Sequence, residues 1–164
     1  MIKNEAKVLD NEKVNILRGA IEHRASWMAL MMEEAKKRGL DPEEFTRAAI
    51  MKCGIFHGDQ QNDAKVSDKL CDFEKAFLND TVKGVFEMDL VENTDDELYI
   101  EFHYCPLVAA WKKLGCSDKD IELMCDAAMD GDRGIAKANN YDYELGKTIS
   151  NGYDICEVRF SRKK

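Results

Sequence analysis

The sequence predicts an α+β fold, with a helical N-terminal half packed on an antiparallel sheet of about four strands. Three observations carry this. Apolar residues recur at helical spacing from Glu5 to Leu78, and two alternating runs flank a polar turn at Asn93-Thr-Asp-Asp. A second alternating pair closes the chain around Ser150-Asn151-Gly152. The 164 residues are 45% hydrophobic and 34% charged, with only two prolines and no low-complexity stretch. That composition fits one soluble domain over residues 1–164, mainly helical over 1–80 and hairpin–helix–helix–hairpin over 81–164.

From Glu5 to about Arg38, Leu17, Ala20, Ile21, Trp27, Met28, Met31 and Met32 recur three and four apart, the pattern of a buried helical stripe. Gly39 is placed to stop that helix. Asp41-Pro42-Glu43-Glu44 then starts another, with a capping side chain, a proline in the first turn and early acids. It runs through Ala48, Ala49 and Ile50 towards Gly54, and a third helix is expected from about Ala64 to Leu78. The third sets Val66, Leu70, Phe73, Ala76 and Phe77 on one side. From Gly84 the pattern becomes that of a strand, with Phe86, Met88 and Leu90 opposite Glu87 and Asp89. After the turn, Leu98, Ile100 and Phe102 alternate with Tyr99, Glu101 and His103. Pro106 ends that strand and opens a short helix to Leu114, stopped by Gly115. Ser117 caps the next helix, which buries Ile121, Met124, Cys125 and Ala128. Tyr141 to Ile149 and Tyr153 to Phe160 form the last hairpin, because Asn-Gly is a strong turn signal.

Charge narrows the partners. Lys and Arg number 24 against 32 Asp and Glu, a net charge of -8 that repels nucleic acid and anionic lipid. No stretch approaches the roughly 18–20 apolar residues that span a bilayer. The polar start, MIKNEAKVLDNEK, has no apolar signal core. The expectation is a cytoplasmic protein acting on a small-molecule substrate, with no nucleic-acid or membrane partner; a homo-oligomer is compatible with the sequence.

Six cysteines stand at 53, 71, 105, 116, 125 and 156, with no CxxC pair. In a reducing compartment these are free thiols or metal thiolates. Cys105 sits at a strand end, Cys125 on the inner face of a helix, and Cys156 on the strand face of Val158 and Phe160, so all three point inward. Glu122, one helical turn before Cys125, or His103, two before Cys105, could complete a tetrahedral zinc site with them. The alternative is three small side chains in an apolar core. Asp126 and Asp130, four apart and close to Asp132 and Arg133, offer a general base if like-charge proximity raises one pKa. They equally suit a solvated helix face paired to Arg133. His103 is a candidate acid near neutral pH, or a strand histidine bonded to a neighbour. No glycine-rich phosphate loop, nucleophile elbow or HExxH motif occurs.

The segments Tyr104-Cys-Pro-Leu-Val-Ala-Ala-Trp-Lys-Lys-Leu-Gly115, Cys125-Asp126 and Gly152-Tyr-Asp-Ile-Cys156-Glu-Val-Arg-Phe160 resemble the L-2-amino-thiazoline-4-carboxylic acid hydrolase family. The resemblance covers about residues 81 to 161. It departs at Asn139-Asn140, where Asn-Pro is expected, and at Glu157-Val158, where Asp-Phe is more usual. It implies a hydrolase that opens a small cyclic amidine-like ring by water attack. On that reading Asp126 or Asp130 is the base, His103 the proton donor and Arg133 the carboxylate anchor. Asp154 is a further polar candidate, and Cys105, Cys125 and Cys156 hold a metal or shape the pocket. The same half is also similar to small-molecule-sensing domains of the vinyl-4-reductase type. There Glu122, Cys105, Cys125 and Cys156 would form a closed structural metal site beside a sensing pocket.

Overall fold

The computed structural model describes residues 2–163. In chain order they form α1 (Glu12–Lys37), α2 (Pro42–Ala64), α3 (Leu70–Phe77), α4 (Asp80–Phe86), β1 (Met88–Asn93) and β2 (Glu97–Phe102). There follow α5 (Pro106–Lys113), α6 (Asp118–Ala128), α7 (Asp130–Ala138), β3 (Tyr141–Leu145), a 3-10 turn (Ile149–Asn151) and β4 (Cys156–Arg162). The class is α+β, as the sequence predicts. The four strands are antiparallel in the order β1-β2-β4-β3, so the two hairpins join through β2 and β4.

The helix starts are those written in the sequence. Asp41 accepts from the backbone N–H of Glu43 at 2.9 Å with Pro42 behind it, and Ser117 accepts from Asp120. Gly39 and Gly115 follow α1 and α5 at φ 71° and 77°, a conformation that suits glycine.

Several boundaries differ from expectation. The second helix does not stop near Gly54 but continues to Ala64, because Gly54 and Gly58 lie inside it and meet α7 backbone to backbone. The third helix begins at Leu70, leaving Val66 on an exposed link. The residues from Gly84 to Phe86 end a short helix and are not strand: Asn79 caps α4 by accepting from Val82, and Glu87, at φ 52°, reverses the chain into β1. The α1 stripe is partly as expected, with Ile21, Met28 and Met32 turned to the core. Ala25, Ala29, Met32 and Ala35 are buried while Trp27 and Met31 are exposed, since α1 approaches α5 through alanines and receives Trp111. The Trp111 indole N–H donates to the Ala25 carbonyl at 2.9 Å inside that contact. The last hairpin is not a tight Asn-Gly turn. Ten residues separate β3 from β4, and Gly152 ends the 3-10 turn within them at φ 88°.

The inner sheet face carries Leu98, Ile100, Val158 and Phe160, packed against Leu70 and Phe73 of α3. A second apolar cluster lies between α1, α5 and α6 around Trp111, Val108 and Ile121, and it includes Cys105, Cys125 and Cys156. The outer sheet face is polar, with Arg159 stacked on the Tyr99 ring at 3.5 Å and bonded to Glu97 at 2.8 Å. At the N-terminal side, buried Arg18 donates to the Val85 and Gly84 carbonyls and pairs with Glu87 at 2.9 Å. Asn4 makes two 2.8 Å hydrogen bonds to the backbone of Cys105, fastening the first residues beneath α5.

Candidate active site

The site begins with a helix crossing. Gly54 of α2 lies against the Gly131 backbone of α7, Gly58 against Ile135 and the Ala138 methyl, and Gly134 against the α2 backbone at Met51 and Ile55. The two axes are drawn together, and Arg47, two turns before Gly54 on α2, lands on the junction of α6 and α7. That junction is Met129, which ends one helix and starts the next. Asp126 lies in the last turn of α6, Asp130 opens α7, and Arg133 follows one turn later.

These four side chains close a ring of alternating charge. Arg47 binds Asp126 Oδ2 at 2.7 Å and Asp130 Oδ2 at 3.4 Å, and its Nε is held by Glu43 at 2.8 Å. Arg133 binds Asp126 Oδ1 and Asp130 Oδ1, each at 2.7 Å, and the Asp126 carbonyl at 2.9 Å. Partial burial would raise the Asp126 carboxyl, but the hydrogen bonds from Arg133 and Arg47 outweigh it and hold it below the usual carboxylate range. Asp126 is therefore a fixed anion at neutral pH and a weak base. Its side chain is 47% exposed, against 11% for Asp130, so it is Asp126 that the ring presents outward.

Asp126 and both arginines open onto a cleft of about 850 Å³. Its floor is Cys125, and its far wall is the link between β3 and β4 with Thr148 and Ser150. Both hydroxyls are buried and lie 2.9 Å apart, positioned by the Asn151 N–H donating to Thr148. Burial pushes the Cys125 thiol up, while a hydrogen bond from Ser150 acts in the opposite direction. Lys36, Lys119 and Glu122 stand at the exposed rim, and neither lysine has an ion-pair partner among the described residues.

The structure thus brings together Asp126, Asp130, Arg133 and Cys125 of the residues expected from sequence. Asp126 and Asp130 converge across two helices rather than along one. Cys105 and Cys156 lie behind the floor in the apolar cluster. Burial raises both thiols, Cys156 to about 12 even though the Ile149 N–H donates to its sulfur at 3.2 Å. Glu122 points to solvent at the rim. Among the described residues, no three His, Cys, Asp or Glu side chains are placed to hold a metal ion, so the expected Cys105, Glu122, Cys125 and Cys156 set is not assembled. His103 does not reach the cleft: it lies beside the first hairpin, its Nε2 2.9 Å from Asp89. Asp154 is exposed before β4 and does not line the cleft.

Sequence reasoning missed Arg47, Thr148 and Ser150. Arg47 had one available signal, the Gly54-x-x-x-Gly58 pair that marks a close helix crossing downstream of it. Among the described residues no helix is long and apolar enough to cross a membrane.

Comparison with known proteins agrees with the motifs. The family model described as L-2-amino-thiazoline-4-carboxylic acid hydrolase matches residues 18–160, which takes in α2 and the whole cleft. No curated protein and no solved structure matches the chain significantly.

Proposed function

The chain belongs to the L-2-amino-thiazoline-4-carboxylic acid hydrolase family, and from that premise we propose that it hydrolyses a small cyclic amidine-like substrate such as 2-amino-thiazoline-4-carboxylate. The observation that carries this reading is the cleft: an arginine-held carboxylate beside a thiol and two buried hydroxyls, within the span the family model matches. In the net reaction water adds to the ring carbon between sulfur and nitrogen. The carbon–sulfur bond opens, giving an N-carbamoyl amino acid with a free thiol.

Each requirement of that reaction has a group in the cleft. Asp126, kept ionised, accepts from the exocyclic amino group of the amidine and so holds the ring carbon that bears it. Lys36 and Lys119 at the rim, with Arg133 behind, attract the substrate carboxylate. The Thr148 and Ser150 hydroxyls relay the proton of the attacking group to the ring nitrogen. Asp130 keeps Arg133 in place and does not meet substrate.

The test is direct, because each turnover releases one thiol. Purified protein mixed with 2-amino-thiazoline-4-carboxylate should generate free thiol and a carbamoyl product by mass spectrometry, and Asp126→Asn should abolish both. A wild-type protein that releases no thiol would sink the reading.

A further inference from the structure

We propose that Cys125 makes the first bond to the substrate carbon, so that ring opening passes through a covalent Cys125 adduct. The inference rests on the hydrolase reading above and assigns its nucleophile. Of the six cysteines, Cys125 alone lines the cleft. Cys125 and Asp126 line the same cleft, so a substrate whose amino group bonds Asp126 has its ring carbon within the space that Cys125 floors. That carbon is bonded to two nitrogens and a sulfur leaving group, an electrophile suited to a soft nucleophile.

The surroundings of the thiol are built. Ser150 and Thr148, 4% and 5% exposed, sit on a 3-10 turn that caps the floor of the cleft. Ser150 is close enough to Cys125 to act on its thiol, and its hydroxyl lies 2.9 Å from Thr148 and 3.3 Å from Asn151 Oδ1. A buried pair of hydroxyls contributes little to an apolar core and needs partners to be tolerated there. Beside a thiol that must lose and regain a proton, the pair forms a short relay. Cys105 and Cys156 lie instead behind the floor in the apolar cluster, with backbone N–H groups and the neighbouring thiols around their sulfurs.

The steps balance. The Cys125 sulfur bonds the ring carbon while the thiol proton passes, by way of Ser150, to the ring nitrogen. The ring carbon–sulfur bond then breaks, and the departing sulfur takes a proton from the amino group on that carbon, leaving an S-linked isothiourea on Cys125. Water adds to the same carbon. Its oxygen becomes the carbonyl of the product, and the Cys125 sulfur leaves with one of its protons. One water is consumed and the thiol is regenerated.

The experiment is intact-mass analysis of wild-type protein, acid-quenched within the first turnover on 2-amino-thiazoline-4-carboxylate, beside Cys125→Ala, Cys125→Ser and the exposed-thiol control Cys53→Ser. The expected result is one substrate mass on the wild-type chain, mapped to the peptide holding Cys125. Thiol release should fall about a thousandfold or more in both Cys125 variants and stay at the wild-type rate in Cys53→Ser. Thermal melting and substrate binding by calorimetry show that the variants are folded. Folded Cys125 variants within about tenfold of wild-type turnover would overturn the covalent route and leave the hydrolase reading standing. A wild-type protein that releases no thiol overturns both.

Discussion

Gly54 on α2 and Gly131 on α7 pack backbone against backbone, so closely that a Cβ on Gly54 would overlap the Gly131 carbonyl oxygen. The same crossing carries Arg47 onto Asp126 and Asp130, so a packing constraint and a charge ring are one feature. Gly54→Ala gains about 1 kcal/mol of helix propensity and loses more to the steric conflict, for a net destabilisation of about 2–3 kcal/mol. Gly19→Ala, in α1 with no atom within 4 Å of its would-be Cβ, gains the propensity alone and should stabilise by up to about 1 kcal/mol. Urea unfolding of both variants checks the pair, and equal effects of the same sign would refute the account of the crossing.

Arg47 reaches three carboxylates with three different nitrogens, a geometry lysine cannot copy. Arg47→Ala should lower kcat/KM for thiol release by about 30–100-fold, the scale of one or two lost charged hydrogen bonds. Arg47→Lys should recover little of it. The Asp126 carboxyl should rise toward its ordinary value in both variants, as followed by NMR titration. Wild-type kinetics in Arg47→Lys would mean that charge alone, without the fork, organises the site.

Much of this was legible from local pattern. Ser117, Asp41-Pro42, Gly39 and Gly115 set helix ends through short-range rules, and the alternation of Leu98, Ile100 and Phe102 fixed the inner sheet face. The family motifs and the Asp126, Asp130 and Arg133 group came from the same stretch of chain. What stayed hidden is what depends on approach between distant elements. Whether Gly54 ends a helix or opens a crossing is decided by Gly131 and Gly134, about eighty residues away. The apolar side of α1 is only partly legible: Ile21, Met28 and Met32 do turn inward, but alanines bury well where helices come close, while Trp27 and Met31 stay outside. His103 alternates correctly along its strand, but no periodicity reports that its partner is Asp89 rather than a thiol.

His103→Gln should leave turnover within about threefold and stability within about 0.5 kcal/mol. The ring hydrogen-bonds Asp89, whose side chain is 74% exposed, and a surface contact of that kind contributes little. Steady-state thiol release and a urea midpoint check both figures. A loss of a hundredfold or more would place His103 in the chemistry after all and require the segment from His103 to Cys105 to move towards the cleft.

Chelation is the corresponding test of the thiol cluster. Since no three donors are placed to hold a metal among the described residues, dialysis against a strong chelator should leave both melting temperature and thiol release unchanged. Metal analysis before and after dialysis completes the measurement. Metal that leaves in stoichiometric amount together with activity would restore the site expected from Cys105, Glu122, Cys125 and Cys156.

Asp132 gives the protein a pH dependence with a definite sign. Burial pushes its carboxyl up to about 6, with the charges of Arg24 and Arg133 acting against the rise. In the unfolded chain the same group loses its proton near pH 4, so between about pH 4 and 6 the native state binds more protons than the unfolded one. Stability from this group is therefore greatest below about pH 4 and falls as pH rises through 6, after which the cost is constant. Two pKa units correspond to roughly 3 kcal/mol. Asp126 has the opposite sign, stabilising above its ordinary pKa and less so as acid is added, but it is common to wild type and an Asp132 variant and cancels between them. Asp132→Asn should therefore be more stable than wild type at pH 8 by up to about 3 kcal/mol, with the difference shrinking towards zero near pH 4. Urea midpoints for both proteins at pH 4.5, 6 and 8 measure that slope. A difference that does not vary with pH would mean that Asp132 is already neutralised by a partner in the native protein.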